Sequence, residues 1–200
     1  MPEEHISTKE RIVLAARELF HTQGYHATSM AEILKKAEAN SGSLYYYFKS
    51  KNELLLAVLG WYEQMLHPMV MDPAFAISED PIERVFAVLA GYREMLLMTE
   101  CTVGCPIGNL ALELTECEPE VRAKIELNFS NWCKAIENCL REAADRLPRD
   151  IDFERMSRFV LTVMEGGIMQ ARGHRDVKRY DDSVAQLRDY FDRLQAKSAA

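Results

Sequence analysis

From residue 28 to residue 51 the chain reads Thr-Ser-Met-Ala-Glu-Ile-Leu-Lys-Lys-Ala-Glu-Ala-Asn-Ser-Gly-Ser-Leu-Tyr-Tyr-Tyr-Phe-Lys-Ser-Lys, a concentration of groups suited to nucleic acid. Hydroxyls of Ser41, Ser43, Tyr45, Tyr46 and Tyr47 can bond to phosphates or base edges. Their phenol rings can touch thymine methyls, and Gly42 lets a backbone come close. Lys49 and Lys51 add cations beside them. The spacing predicts how these groups are held: a short helix capped by Thr28 or Ser29, a turn near Glu38-Ala39, and a second short helix capped by Asn40. That is a helix-turn-helix pattern. Ile33, Leu34, Ala37, Leu44 and Phe48 can face a preceding helix whose stripe is Ile12, Ala16, Leu19 and Phe20. The same periodicity also fits a structural three-helix motif whose tyrosines pack at an interface.

A second stretch, Glu100-Cys-Thr-Val-Gly-Cys-Pro-Ile-Gly-Asn-Leu-Ala-Leu-Glu-Leu114, carries thiol chemistry. Pro106 reads as the first residue of a helix, which puts Cys105 at the N-cap, where the positive end of the dipole stabilises a thiolate. The plainer alternative makes Cys105 a small residue filling a helix crossing. Cys101 is close enough for a conditional disulfide, but Cys-x3-Cys without a second Cys/His pair is a poor zinc signature, so no metal is expected. Cys117, Cys133 and Cys139 read as buried small residues. The five histidines pair with no serine or carboxylate at a telling spacing, so neither a catalytic triad nor a cofactor is expected.

Beyond residue 60, methionines and aromatics are plentiful. Trp61, Met65, Phe86, Tyr92, Met95, Phe129, Trp132, Met164 and Met169 can form core, or line a cavity for a small, mostly apolar effector whose polar contacts come from Cys105 and Asn109. Near the C-terminus, Tyr180, Val184, Leu187, Phe191 and Leu194 recur every three or four residues, as a seam for another helix. Phe153, Met156, Val160, Val163 and Gly167 give the preceding helix a matching face. Two such helices per chain predict a four-helix bundle across a twofold axis, with packing inside one chain as the alternative.

These groups need a helical scaffold, and spacing of three and four runs through nearly all 200 residues with little alternation of period two. An all-α fold of about nine helices is expected: 7–23, 29–36, 40–47, 51–66, 82–98, 106–115, 119–146, 152–172 and 180–196. Asp80-Pro81 with Glu83, and Glu118-Pro119, mark two helix starts. Pro68, Pro73 and Pro81 predict a linker with at most a short turn. At 48% hydrophobic and 28% charged residues the chain can build a core, yet its apolar runs fall short of the ~18–20 residues of a bilayer span. The N-terminus Met1-Pro-Glu-Glu-His5 has no secretory pattern, so a cytoplasmic protein with reduced thiols is expected. Charge is lopsided: seven Lys/Arg against six Asp/Glu in residues 1–52, and 17 against 25 in the remainder. Non-specific coating of nucleic acid is thereby excluded, while a few placed phosphate contacts are not. The simplest partition is a DNA-binding module at 1–52 and an effector-binding and dimerisation body at 53–200.

The pattern Thr28, Ile33, Ala37, Gly42, Leu44-Tyr45, Tyr47-Phe48, Lys51 and Leu54-Leu55, preceded by Ile12, Ala16, Leu19, Phe20, Gly24 and Tyr25, resembles the TetR family of transcriptional repressors over roughly residues 7–60. The Gly-Cys-Pro-Ile-Gly-Asn-Leu segment resembles one in a branch that includes electrophile- and thiol-responsive repressors. The resemblance implies a homodimer on a palindromic operator in double-stranded DNA, and a body that binds a small molecule and releases the DNA. It further implies that Thr28 caps the second helix and touches phosphate, and that Ser41, Gly42 and Ser43 open the recognition helix. Tyr45, Tyr46 and Tyr47 would contact bases or backbone, and Lys51 would grip phosphate. One departure stands out: the family's Gly-Val turn is Glu38-Ala39 here, and a non-glycine residue at positive φ costs roughly 1 kcal/mol. The reading is thus a repressor without enzymatic activity, released by a small-molecule effector or by modification of a cysteine. A thiol enzyme using Cys105, and a helical interaction protein that binds no DNA, remain as alternatives.

Overall fold

A computed structural model describes residues 6–114 and 118–198, and all regular structure among them is helical. Cys117, His5 and the last residue of the helix expected at 106–115 lie outside the described residues. Ten α-helices are present in that range: α1 (Thr8–Gln23), α2 (Met30–Lys36), α3 (Ser41–Tyr47), α4 (Lys51–Leu66), α5 (Asp72–Phe75), α6 (Pro81–Met98), α7 (Pro106–Glu113), α8 (Pro119–Glu142), α9 (Phe153–His174) and α10 (Lys178–Ser198). The helix expected at 119–146 stops at Glu142, and a 3-10 turn at Ala144–Arg146 follows.

The expected linker is instead helical. A π-helical segment, His67–Met71, follows α4 directly and runs into α5, with Asp72 N–H bonded to the His67 carbonyl. Pro68 and Pro73 each sit in the first two positions of their segments, and the wider π turn accommodates a ring that an α turn would reject. Spacing between prolines therefore overstated the break.

Residues pack as two compact units, one of Met1–Glu63 with Pro106–Asn128 and the other of Gln64–Cys105 with Phe129–Ala200. The first unit is wider than the 1–52 module drawn from charge and motif. Its helices start from sequence-encoded caps: Ser7 and Ser29 each form a reciprocal capping box with the glutamate three residues on, and Asn40 accepts from Ser43 N–H at 2.8 Å. Ile12, Ala16, Phe20, Ile33, Ala37, Leu44 and Phe48 are buried together as the shared core of α1–α3. Gly24 ends α1 at φ 94°, and a Cβ there would lie 3.1 Å from the Glu113 carboxylate. Both conformation and space ask for glycine.

In the second unit Asp80 caps α6, accepting from Ile82 N–H at 2.8 Å, as the Asp-Pro signal predicts. Helices α9 and α10 pack closely at Gly167, where a Cβ would sit 2.9 Å from the Tyr180 ring. Tyr180 is buried and donates its hydroxyl to the Leu89 carbonyl at 2.8 Å, tying α10 to α6. Met156, Val160, Leu187 and Phe191 are buried in this core. The stripes expected to meet a partner chain thus turn inward at those positions and at Gly167, because one chain already supplies the opposing apolar face. Of the remaining seam residues, Phe153, with the Arg141 guanidinium 5.4 Å from its ring centre, and Val163, Val184 and Leu194 are half-buried.

Candidate nucleic-acid interface and regulatory cluster

Helix α3 is held by one face and free on the other. Leu44 and Phe48 anchor it to α1, while Tyr45, Tyr46 and Tyr47 are 52%, 75% and 38% exposed, with Ser41 and Gly42 exposed and Ser43 half-buried. Tyr46 and Tyr47 stand edge to face with centroids 5.0 Å apart, so the rings brace each other without being covered. The exposed Lys49 ammonium donates to the Tyr45 carbonyl at 2.8 Å and places a cation at the end of the helix. Hydroxyls and phenols are thereby presented on a rigid rod, a surface that can hydrogen-bond and stack against an external polar partner.

Two expected contact residues are turned to internal tasks. Ser29, not Thr28, caps α2; Thr28 is buried, its hydroxyl donating to the Gly24 carbonyl at 2.7 Å and accepting from Gln23. Lys51 is half-buried, donates to the Tyr25 carbonyl and lies 4.2 Å from the centre of the Tyr25 ring. Burial holds its ammonium below the ordinary lysine value, with the Glu113 and Glu32 charges opposing. These groups fix the turn between α1 and α2.

Glu113 closes the same turn. Its carboxylate accepts from Tyr25 N–H at 2.8 Å and His26 N–H at 2.6 Å. Glu113 ends α7, and α7 begins directly after Cys105 in the chain. Sequence reading missed this residue, since nothing local marks a helix-ending glutamate as the partner of amides some 87 positions away.

Glu38 adopts φ 49°, the left-handed region that the absent glycine would have suited. Arg11 holds the turn by donating to the Ala37 carbonyl at 3.1 Å and the Glu38 carbonyl at 3.4 Å. Glu38→Gly should therefore raise stability by at most ~1 kcal/mol, the released strain being offset in part by a more flexible unfolded chain. It also removes a negative charge beside α3. Thermal melting and duplex affinity at several salt concentrations would both rise; a lower melting temperature would show that the turn is unstrained.

In the second unit four polar groups converge. The Cys105 thiol hydrogen-bonds to Glu165, and the Tyr92 hydroxyl lies beside the Trp132 indole and close to both. Burial first, then the neighbouring Cys105, pushes the Tyr92 phenol well above its ordinary value; burial also raises the Glu165 carboxyl. One partner of Cys105 is thus an acid. Cys101, Cys105, Cys133 and Cys139 are not joined in disulfides; Cys101, Cys105 and, as expected, Cys139 are buried, whereas Cys133 is only half-buried. Glu165 was missed by sequence reading, although its place on α9 beside the buried Met164 and Ile168 puts an acid at an inward position.

Other expected lining residues are distributed differently. Met164 is buried, and Met65, Met95 and Phe129 are half-buried. Phe86 is core: it meets Phe191 edge to face at 5.5 Å and lies under the Arg188 guanidinium. Met169 is 60% exposed on the outer side of α9, so it lines nothing within the chain. Trp61 and Asn109 fall in the first unit, where the Arg17 guanidinium covers the Trp61 ring at 4.4 Å.

Known proteins share both halves of this arrangement. The family described as bacterial regulatory proteins, tetR family, matches residues 12–58, and the tetracyclin repressor-like C-terminal domain matches residues 81–187. The chain belongs to the TetR family. This TetR-family protein is 31% identical over 130 residues to an HTH-type transcriptional regulator in the lacX 3′ region of Lactococcus lactis, covering 65% of this chain and 66% of that one. It is 29% identical over 163 residues to the HTH-type transcriptional regulator LmrA of Bacillus subtilis, covering 81% and 85%. Its fold matches a TetR regulatory protein from Rhodobacter sphaeroides with a TM-score of 0.83 at 24% identity, over 94% of this chain and 98% of that one. It is a DNA-binding transcriptional regulator. No helix among the described residues is long and apolar enough to cross a membrane.

Proposed function

We propose that this TetR-family regulator is a homodimeric repressor that reads a palindromic operator through α3 and releases it when a small molecule occupies the cluster around Tyr92, Cys105, Trp132 and Glu165. The observation that carries the reading is Tyr46, three-quarters exposed on a helix whose opposite face is locked into the core. A solvent-facing row of three tyrosines is costly to keep unless a partner covers it. Ser41, Gly42, Ser43, Tyr45 and Tyr47 complete the reading surface, and Lys49 supplies the phosphate cation in place of Lys51.

A twofold partner would lie on the outer face of α9 and α10. There Phe159 and Tyr190 are 46% and 42% exposed and meet edge to face at 5.9 Å. A Cβ on Gly166 would meet nothing within 4 Å, which leaves that face open to close approach. Two recognition helices then address half-sites about 34–36 Å apart, one turn of duplex. An effector changes that spacing only through its differential affinity for the two states.

Selection from random duplex DNA, followed by footprinting, tests the reading. An enriched inverted repeat protected on one face at both half-sites is expected; enrichment of no sequence would refute it.

Glu113 offers the mechanical link, because α7 joins Cys105 to the turn that positions α2. Glu113→Ala removes two hydrogen bonds to a charged acceptor, each worth ~1.5–3 kcal/mol when fully formed, less at this partly exposed turn. The Tyr25 and His26 amides should exchange with deuterium markedly faster, and operator affinity should fall with no change in dimerisation. Unaltered exchange at both amides would remove Glu113 from the pathway.

A further inference from the structure

We propose that the effector of this regulator is a small organic cation, an aromatic or apolar body carrying an ammonium group and a hydrogen-bond acceptor, bound between Glu165 and Trp132. The inference rests on reading this cluster as the effector site. Its basis is a pair of orphaned polar atoms. Glu165 Oε1 and Trp132 Nε1 are both sealed from solvent and neither makes a well-formed hydrogen bond, the indole N–H having only the adjacent Tyr92 hydroxyl beside it. Trp132 is only 4% exposed, so its N–H has no route to bulk water. Such atoms are rare in folded proteins, and two in one cluster mark a place where an absent molecule completes the bonding.

The chemistry of the missing molecule follows from what surrounds these atoms. The groups facing Glu165 are the Cys105 thiol ahead of α7, the Tyr92 phenol of α6 and the Tyr180 phenol of α10, and none is a cation. Beside two phenols, a thiol and an indole, no cation among the described residues shifts the Glu165 carboxyl. Anionic ligands are repelled, and a purely apolar ligand leaves both orphaned atoms unsatisfied. A cation neutralises the charge at Oε1, donates to it as well where it carries an N–H, and is attracted to the faces of the neighbouring indole and phenol rings. The acceptor on the same ligand answers Trp132 Nε1, which can only donate. Burial raises the Glu165 carboxyl, and a fixed positive charge draws it back to the carboxylate.

A charge-matched pair of probes tests this. Benzoylcholine carries an aromatic ring, an ester carbonyl and a quaternary ammonium; 3,3-dimethylbutyl benzoate has the same shape with carbon in place of nitrogen. Binding to the full-length protein is followed by quenching of tryptophan fluorescence and by calorimetry, with operator release measured in parallel. Benzoylcholine is expected to bind at least about tenfold tighter than the ester. Glu165→Gln, which keeps the volume and removes the charge, should erase that preference and leave ester affinity nearly unchanged. Trp132→Phe should weaken both probes alike. Equal affinity for the two probes, a preference that survives Glu165→Gln, or no benzoylcholine binding at millimolar concentration each overturns the proposal. If the ester alone binds and releases operator, the effector site stands and its cationic ligand does not. If benzoylcholine binds through Glu165 without altering operator affinity, the cation site stands and its regulatory role falls.

Discussion

Tyr46→Ala is expected to weaken operator binding by about 2–6 kcal/mol, since each base-edge contact is worth roughly 1–3 kcal/mol and a dimer presents two. The substitution should leave the fold intact. Tyr46 is 75% exposed and its neighbours Leu44 and Phe48, which carry the packing of α3, are untouched. Alanine also favours the helix. Melting temperature and dimerisation should therefore match the parent while the affinity measured by titration of the selected operator collapses. Tyr46→Phe separates the two parts of the side chain: it keeps the ring that can lie against a thymine methyl and removes only the hydroxyl. A smaller loss for phenylalanine than for alanine assigns the ring a share of the contact. Full affinity in Tyr46→Ala would move recognition away from this face of α3. The salt dependence provides an internal check, because removing a neutral side chain leaves the number of displaced counterions, and hence the slope, unchanged.

What the sequence disclosed depended on the range over which each signal acts. Caps and periodicity are local: Asn40 three residues before Ser43, Ser29 three before Glu32 and Asp80 ahead of Pro81 encode α3, α2 and α6 in short words. The recognition helix could be read for the same reason, its exposed tyrosines falling between the buried Leu44 and Phe48, one helical turn apart. Signals that need the tertiary structure were misread. Lys51 beside an exposed basic-aromatic run looks like a phosphate ligand, yet its ammonium satisfies the Tyr25 carbonyl 26 residues away. Glu165 reaches Cys105 from a different helix, a neighbour that the Cys105-Pro106 pair does not announce. An apolar stripe likewise reports that a helix buries one face but not against whom, which is why Leu187 and Phe191 were credited to a partner chain. Periodicity could not tell the outer face of α9 and α10 from the inner one. The inner stripe is regular because core packing imposes strict spacing.

That distinction predicts opposite outcomes for substitutions on the two faces. Phe159→Asp together with Tyr190→Asp places two charges where the proposed twofold interface would bury them, at positions 46% and 42% exposed in the isolated chain. The chain should fold with nearly its original melting temperature, having lost one edge-to-face ring pair worth ~0.5–1.5 kcal/mol. Its sedimentation should shift to that of a monomer. Operator affinity should then fall by about 10²–10⁴-fold, because a single head loses the effective concentration that the second half-site confers. On the inner face, Phe191→Ala opens a cavity behind Phe86 and should cost ~3–5 kcal/mol of folding stability. Any loss of dimer there would follow unfolding, and the two would titrate together in denaturant. A doubly charged outer face that still sediments as a dimer would place the twofold axis elsewhere, and with it the separation of the two recognition helices.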